Sequence, residues 1–294
     1  LYCSILPVLI YGLVTSSPQF VFGVDATPAA LVGGTLATLG IVSGSEEAKA
    51  VVPAITLVAA LWLLLFFFIK AGRIVNYIST PVMGGFISGI GVTIILMQAA
   101  KLFGGNAGTG EAIQLVMHIA GEFDSFNLLS AVLGVGTVVI ILVAKKFIPK
   151  FPMSVLLMVL GALATVFFHI DRFGVKLLPH VDKGLPGFSL PDMSVVFKNP
   201  SEIILLGLSV AGVVMAQTLL ATNNYANKYG YKVSNNREIL AYAAANAASA
   251  VIGGCPLNGS VSRTGIADQF GCKSQFMSIT ASLTMLLIVL FGTP

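Results

Sequence analysis

The stretch N-G-S-V-S-R-T, from Asn258 to Thr264, decides the fold of this chain. It follows Gly253-Gly254 and Pro256 within a sequence that is otherwise almost wholly apolar. Gly and Pro interrupt a helix, and a Ser- and Thr-rich run is typical of the start of a new one. In lipid, an interrupted helix is tolerated only where its freed backbone groups are buried in protein or line a cavity. The stretch therefore predicts a broken membrane helix that begins at a cavity.

The chemistry of this helix start favours an anion as the ligand. Unpaired N–H groups at a helix N-terminus carry a partial positive charge. Arg263 adds a full positive charge beside them, and the neighbouring Ser262 is the best candidate for a side-chain ligand. Ser260 and Thr264 are equally suited to capping the helix. Arg263 could instead snorkel or pair with Asp268, although helical ion pairs favour a spacing of three or four residues.

The composition is that of a polytopic membrane protein. Of 294 residues, 56% are hydrophobic and 10% charged, and the mean hydropathy is +0.94. A soluble domain would carry about 25% charged residues. The three cysteines have no metal-ligand spacing, the three histidines form no pattern, and no catalytic set is recognisable, so we expect no enzyme. The net charge of +4 arises from the loops and does not indicate nucleic-acid binding.

Apolar runs predict ten helical segments, of which two are short or broken. A helix needs about 20 apolar residues to cross a bilayer. The predicted segments are 5–14, 26–42, 51–69, 78–103, 126–144, 152–168, 203–220, 239–252, 260–270 and 274–291. We expect first-repeat helices over 1–170, an extracellular loop over 171–200 and second-repeat helices over 201–294.

The charges of the loops predict the orientation, because basic loops stay in the cytoplasm. One alternating set of loops is basic, and the other is mixed and rich in acids. The basic set holds Lys70, Arg73, Lys145, Lys146, Lys150, Lys228, Lys232, Arg237 and Lys273. The other set holds Glu46, Glu47, Glu111, Glu122, Asp124 and the long loop 171–202.

The first half of the chain has an irregular element of its own, between Gly23 and Ala30. Gly23 and Pro28 bracket a helix start, which Asp25 or Thr27 could cap. Paired interrupted segments, one in each half, indicate a transporter binding site between inverted repeats. Asp25 has a second interpretation as a proton or Na⁺ site that offsets the charge of the anion. Both interpretations stay open.

These residues resemble the SulP sulfate permease family of inorganic anion transporters. The similarity rests on N-R-E at 236–238, A-N at 245–246, G-G-x-P at 253–256 and G-S-x-S-R-T at 259–264. Weaker matches are Leu1-Tyr2, Thr15-Ser16-Ser17 and the Pro- and Gly-containing stretch 79–89. The resemblance covers essentially the whole chain.

The resemblance implies an all-α transmembrane fold with two inverted seven-helix repeats and two discontinuous helices. It implies a gate domain and a core domain that move past each other, in the manner of an elevator, with the anion between the third and tenth helices. The family's anion site then falls on Ala26, Thr27, Gly259, Ser260, Ser262 and Arg263. The resemblance also implies a first helix before Leu1 and a cytoplasmic STAS domain after Pro294.

Two departures from the family pattern concern the coupling ion. Gly23-Val24-Asp25-Ala26 stands where many members have G-P-x-A, and Gln217 stands where many have a glutamate. A glutamine cannot titrate, so proton coupling would have to run through Asp25. Asp25 and Gln217 are the candidate positions for a coupling site for H⁺ or Na⁺. No other cofactor is expected.

The leading hypothesis is a secondary transporter, a symporter, of sulfate or a similar oxyanion, with bicarbonate included. A nucleobase carrier of the same architecture and an anion channel or membrane scaffold are the alternatives. The expected partners are a small inorganic anion and the lipid bilayer, with a homodimer left open and no nucleic acid.

Overall fold

The computed structural model describes residues 2–42, 44–77, 80–106, 108, 112–122, 126–148, 151, 153–175, 188, 190–198 and 200–292. The chain divides into two compact units. Unit 1 comprises Leu1–Met83 with Val181–Pro294, and unit 2 comprises Gly84–His180. The helix α4, Thr80–Leu102, begins in unit 1 and continues into unit 2.

Unit 1 contains a helical bundle and a two-stranded sheet. The sheet consists of β1, Phe22–Gly23, and β2, Asn258–Gly259. The helices are α1 Leu6–Val14, α2 Ala26–Thr38, α3 Glu46–Phe68, α8 Ser194–Lys198, α9 Pro200–Tyr229, α10 Asn235–Val251, α11 Val261–Gln269 and α12 Phe276–Leu287. Short 3₁₀ helices cover Tyr2–Ser4 and Ala71–Tyr77, and a π-helical turn, Ile288–Gly292, follows α12.

The core of unit 1 forms around α10, which packs most extensively against α3 and α1. The buried face of α10 is built largely of alanine, which lets the helices approach closely. A glycine serves the same purpose between α9 and α3, because a Cβ on Gly207 would lie 2.5 Å from Val58 Cγ1. The helix α3 begins at Ser45, whose side chain accepts a hydrogen bond from the Ala48 amide.

The two helices that follow the interruptions are too short to cross a bilayer alone. At 1.5 Å per residue, α2 and α11 are about 20 Å and 14 Å long, whereas α9 is about 45 Å long. Each follows one strand of the small sheet, which confirms that both predicted interruptions are breaks in helical structure. The long helices α3 and α9 are apolar enough to span a membrane.

Unit 2 contains most of α4, the amphipathic α5, Ala112–Gly121, and two apolar helices. These are α6, Leu128–Phe147, and α7, Met153–Phe168, which a 3₁₀ turn, Ile170–Phe173, follows. The Asn127 side chain caps α6 by accepting from the Ser130 amide at 2.9 Å. The helix α6 is long enough to span a membrane and buries almost none of its surface within the protein. An apolar surface of this kind suits contact with lipid.

All ten predicted segments correspond to helices, with differences at their ends. The prediction missed α5, where we expected a loop, and α8, because neither is a long apolar run. It also ended the seventh segment at Leu220, whereas α9 continues to Tyr229 through a polar stretch that the bundle buries in part. Glu111, Asp124, Lys150 and residues 176–187, 189 and 199 of the loop lie outside the described residues. The assignment of residues 1–170 and 201–294 to the two sequence repeats stays a prediction.

The basic loop residues of unit 1 gather at one end of the bundle, as the loop charges predict, whereas Lys49 pairs with Glu46 at the other end. The turn after α3 reaches the start of α10, where Asn235 Nδ2 donates to the Gly72 carbonyl at 3.3 Å. Lys228, at the end of α9, forms a 2.7 Å salt bridge with Asp268 near the end of α11. Glu46 and Glu47 lie at the other end of α3.

Candidate functional site

The two interruptions meet as an antiparallel pair of strands. Phe22 pairs with Gly259 and Gly23 with Asn258. The pairing continues beyond the strands, because the Ser260 amide donates to the Val21 carbonyl at 2.9 Å. The helices α2 and α11 start directly after the strands and run toward opposite ends of unit 1. Their N-termini therefore face each other across the strand pair.

The strand pair lies deep within unit 1, against the middle of α9. The Gly259 amide donates to Thr218 Oγ1 at 3.0 Å. From Thr218, α9 extends about 27 Å toward Pro200 and about 17 Å toward Tyr229. A Cβ on Gly259 would lie 2.4 Å from Phe20 Cε1 and 2.5 Å from Thr218 Cγ2. Only glycine fits at this position.

A buried amide network fixes the second strand. Asn258 Nδ2 donates to Gln217 Oε1 at 2.7 Å, and Thr218 Oγ1 donates to Asn258 Oδ1 at 2.6 Å. Gln217 is 4% exposed and Asn258 is fully buried. Because an unpaired polar group is costly at such depth, these bonds hold β2 firmly against α9.

The N-terminus of α11 presents the donors that an anion would need. Ser260 caps the helix, and its Oγ accepts from the Arg263 amide at 3.5 Å and lies 3.3 Å from Ser262 Oγ. Among the described residues, no acceptor binds the amides of Val261 or Ser262. The Ser262 side chain is exposed while Ser260 is buried. Two amides and one hydroxyl are thus available at this helix start.

Arg263 reaches across to the first interruption. Its Nη2 donates to the Val24 carbonyl, and a Cβ on Gly23 would lie 3.3 Å from its Nη1. The alternative pairing of Arg263 with Asp268 does not occur, because Asp268 binds Lys228 and the Tyr229 hydroxyl. The guanidinium therefore contributes positive charge between the two helix starts.

Asp25 lies at the N-terminus of α2 as a cap. Its carboxylate interacts with the amides of Ala26 and Thr27, with the Asn258 side chain and, through charge, with Arg263. These contacts place a negative group at one helix start and a positive group at the other. The amides of Ala26 and Thr27 already interact with the Asp25 carboxylate, so an anion at this helix start would share them with Asp25.

Thr264 secures the strand pair from within α11. Its hydroxyl donates to the Ser260 carbonyl at 2.6 Å and accepts from the Val21 amide at 3.0 Å. Thr264 is fully buried, so these bonds are shielded from water. The residue thereby ties the first turn of α11 to the segment before β1.

The segment that leads to β1 is held by a buried glutamate at the start of α10. Glu238 is fully buried, and its carboxylate accepts from Tyr11, from Thr15 at 2.8 Å, and from Ser16 and Ser17. All the donors lie at the end of α1 or just after it. The carboxylate therefore anchors the end of α1 to the start of α10 and fixes the chain that continues into β1.

Hydrogen bonds from α10 and α3 also hold the loop before β2. Asn246 Oδ1 accepts from the Leu257 amide at 2.8 Å, and Ser249 Oγ donates to the Cys255 carbonyl at 2.7 Å. Thr56 Oγ1 donates to the Gly254 carbonyl at 3.0 Å. Asn246 therefore fastens this loop to α10.

A model of the sulfate permease family matches residues 1–294. The chain belongs to this family. It is a multi-pass membrane protein, as its helices also indicate. The protein named "Probable sulfate transporter" of Mycobacterium tuberculosis is 25% identical over 294 residues, which are 100% of this chain and 52% of that protein. The chain thus spans about half the length of that relative.

Solved structures share the fold of this sulfate permease family chain. The murine solute carrier 26 family member A9 anion transporter, in the inward-facing state, has a TM-score of 0.82 at 20% identity. The match covers 99% of this chain and 51% of that one. The transmembrane domain of the cyanobacterial bicarbonate transporter BicA has a TM-score of 0.79 at 18% identity, covering 99% and 74%. The predicted helical fold with inverted repeats is confirmed.

The structure brings the predicted site residues of this family member together around the strand pair. These are Asp25, Ala26, Thr27, Gln217, Gly259, Ser260, Ser262 and Arg263. The Gly259 amide and the Gln217 carbonyl oxygen already have protein partners. The structure therefore gives Gly259 a close-packed position and Gln217 a place in the amide network, and their predicted binding roles stay predictions.

Sequence reasoning missed the residues that position the site. From sequence, Glu238 stands out only as part of the N-R-E run at 236–238, and nothing indicates a role for Thr218. The signal for Glu238 was its isolation as an acid within the N-R-E run beside a membrane helix, where a charge needs a partner. Among the described residues, no three His, Cys, Asp or Glu side chains could hold a metal ion.

Proposed function

We propose that the chain is the major part of the transmembrane domain of a secondary active transporter of a small inorganic anion. Sulfate or a similar oxyanion is the proposed substrate, with bicarbonate included. The observation that carries the proposal is the pair of opposed helix starts, with the available amides of Val261 and Ser262 beside Arg263. Such groups stabilise a desolvated anion without a buried lysine.

Unit 1 is the proposed moving body in an elevator-like alternation. Both helix starts belong to unit 1, and Glu238 and Arg263 fasten them to each other and to α1 and α10. A site fastened in this way can travel with the unit and keep its geometry. Symport of H⁺ or Na⁺ through Asp25 and assembly into a homodimer are parts of the same proposal.

A nucleobase carrier is the weaker candidate. It would need acceptors for the N–H groups of the base, and Gln217 and Asp25 are the nearby candidates. The Gln217 oxygen accepts from Asn258, and the Asp25 carboxylate interacts with the amides of its own helix. The available groups at the start of α11 are donors, which favours an anion.

Uptake of labelled sulfate, bicarbonate and uracil into liposomes tests the proposal, with and without H⁺ or Na⁺ gradients. The whole transporter is used. We expect uptake of at least one of the two anions, and no uptake of uracil. Uracil uptake without anion uptake would refute the proposed substrate class.

Arginine variants test the site within the same assay. Loss of a charge-assisted hydrogen bond costs about 1.5–3 kcal/mol, so Arg263→Ala should weaken anion affinity roughly 10- to 150-fold. Arg263→Lys keeps the charge and should recover part of the loss. Arg73→Ala, in an exposed turn, is the matched control and should transport normally. Unchanged affinity in Arg263→Ala would leave Arg263 with a structural role only.

A further inference from the structure

Two of the three cysteines come together at the end of unit 1 that is opposite its basic loops. Their spacing in sequence indicates no metal site. The structure instead places Cys255 beside Cys3, and their side chains are hydrogen-bonded to each other. Cys3 precedes α1, and Cys255 lies in the loop before β2.

The space for this thiol pair depends on the absence of a side chain at one position. A Cβ on Gly254 would lie 2.4 Å from Cys3 Sγ and 2.4 Å from Ser249 Oγ. The loop that carries Cys255 is fixed by the bonds from Ser249 and Thr56. Both thiols are therefore held on ordered backbone, and glycine leaves room for the sulfur.

The thiol pair lies at the wall of a cavity of about 390 Å³. Small and apolar side chains of α2 and α3 form much of the rest of the lining, among them Ala29, Val32, Leu36 and Val52. Both cysteines are partly exposed, unlike a cysteine that only fills a packed core. A small ligand can therefore reach both sulfurs from one side.

We propose that Cys3 and Cys255 form a two-thiolate site for a soft monovalent metal ion of the Cu(I) type. Thiolates select soft ions, and Cu(I) accepts two sulfur ligands. On binding, each thiol loses its proton to solvent and each sulfur donates an electron pair to the ion, with no change of oxidation state. Apart from Lys49, glycine and apolar side chains form the rest of the cavity lining and offer few competing ligands.

The ligand count at this site excludes the commoner alternative. Zinc in a structural site takes four ligands in tetrahedral geometry. Among the described residues, no third His, Cys, Asp or Glu joins the pair. The Ser249 hydroxyl interacts with Cys3 but is a poor ligand for a soft ion. A two-coordinate ion matches what the site provides.

Competition between the purified whole transporter and bicinchoninate for Cu(I) tests the site. Cys3→Ser and Cys255→Ser should each lower the Cu(I) affinity at least about 100-fold, because each removes the second, intramolecular ligand. Cys272→Ser is the matched control and should bind as the unaltered protein does. Equal affinity in all three variants, or loss in only one of the first two, would overturn the proposal.

A second measurement uses the unaltered protein and so does not depend on the folding of a variant. Cu(I) should protect Cys3 and Cys255 together from alkylation by iodoacetamide, read by mass spectrometry of their peptides, and should leave Cys272 reactive. Independent alkylation of the two cysteines in the presence of Cu(I) would overturn the proposal. A Cys3–Cys255 disulfide in the protein purified without reductant, with no Cu(I) bound, would also overturn it.

Discussion

Gly259→Ala should disassemble the site, because the added methyl group has no room. Its Cβ would lie 2.4 Å from Phe20 Cε1 and 2.5 Å from Thr218 Cγ2, whereas carbon atoms in contact are about 3.5–4.0 Å apart. Both neighbours are fully buried, and the Thr218 hydroxyl is committed to Asn258 and Gly259. A displacement of about 1 Å is therefore needed on two sides, and such overpacking typically costs about 1–3 kcal/mol.

Transport and thermal stability of the whole protein measure this effect. Because each 1.4 kcal/mol is a tenfold change, anion exchange should fall by roughly 5- to 150-fold. The midpoint of thermal aggregation in detergent should fall as well. Gly265→Ala is the matched control in the same helix, since its Cβ would lie 3.6 Å from the Tyr225 hydroxyl, an ordinary contact. Normal exchange and an unchanged midpoint in Gly259→Ala would refute the reasoning.

Three further predictions concern the buried glutamate, the coupling ion and the orientation. Glu238→Gln places an amide donor against groups that all donate, so we expect a loss of about 3 kcal/mol in stability and a lower thermal midpoint. The exposed Glu47→Gln is its control, and an equal effect of both variants would contradict the assigned role. Asp25→Asn should abolish gradient-driven accumulation and spare anion exchange, and accumulation at the unaltered level would reduce Asp25 to a helix cap. Single cysteines at Phe147 and Glu122, in a cysteine-free background, should react with an impermeant reagent inside and outside respectively, and the reverse pattern would overturn the orientation.

The path of the chain through the membrane could be predicted from sequence because hydropathy and Gly/Pro breaks act locally. The ten apolar segments all became helices, and both interruptions became strand–helix junctions. The sequence prediction missed the amphipathic α5 because this helix is short and carries polar residues between its apolar ones. The prediction missed the extension of α9 to Tyr229 because three asparagines and Lys228 lower the hydropathy of this stretch without ending the helix.

The partners within the site could not be predicted, because they are set by tertiary packing. Arg263 and Asp25 were recognised from their positions at helix starts. Nothing local shows that Arg263 reaches the Val24 carbonyl, or that Glu238 accepts hydrogen bonds from the end of a helix more than 200 positions away in sequence. The sequence identifies which polar groups need hydrogen-bond partners in lipid, and the fold determines which partners they find.

The strand pair between β1 and β2 also sets the order in which this protein can be made. Val21 and Thr264, whose hydrogen bond extends the pair, are 243 positions apart. At a synthesis rate of about 5–20 residues per second, the segment before α2 must wait roughly 12–50 s for its partner. During that interval the donors at the end of α1 lack the Glu238 carboxylate, and β1 has no strand beside it. A ribosome stalled before residue 238 should therefore leave a nascent chain that depends on insertion factors, and truncations on either side of Gly259 should differ sharply in their resistance to membrane proteases.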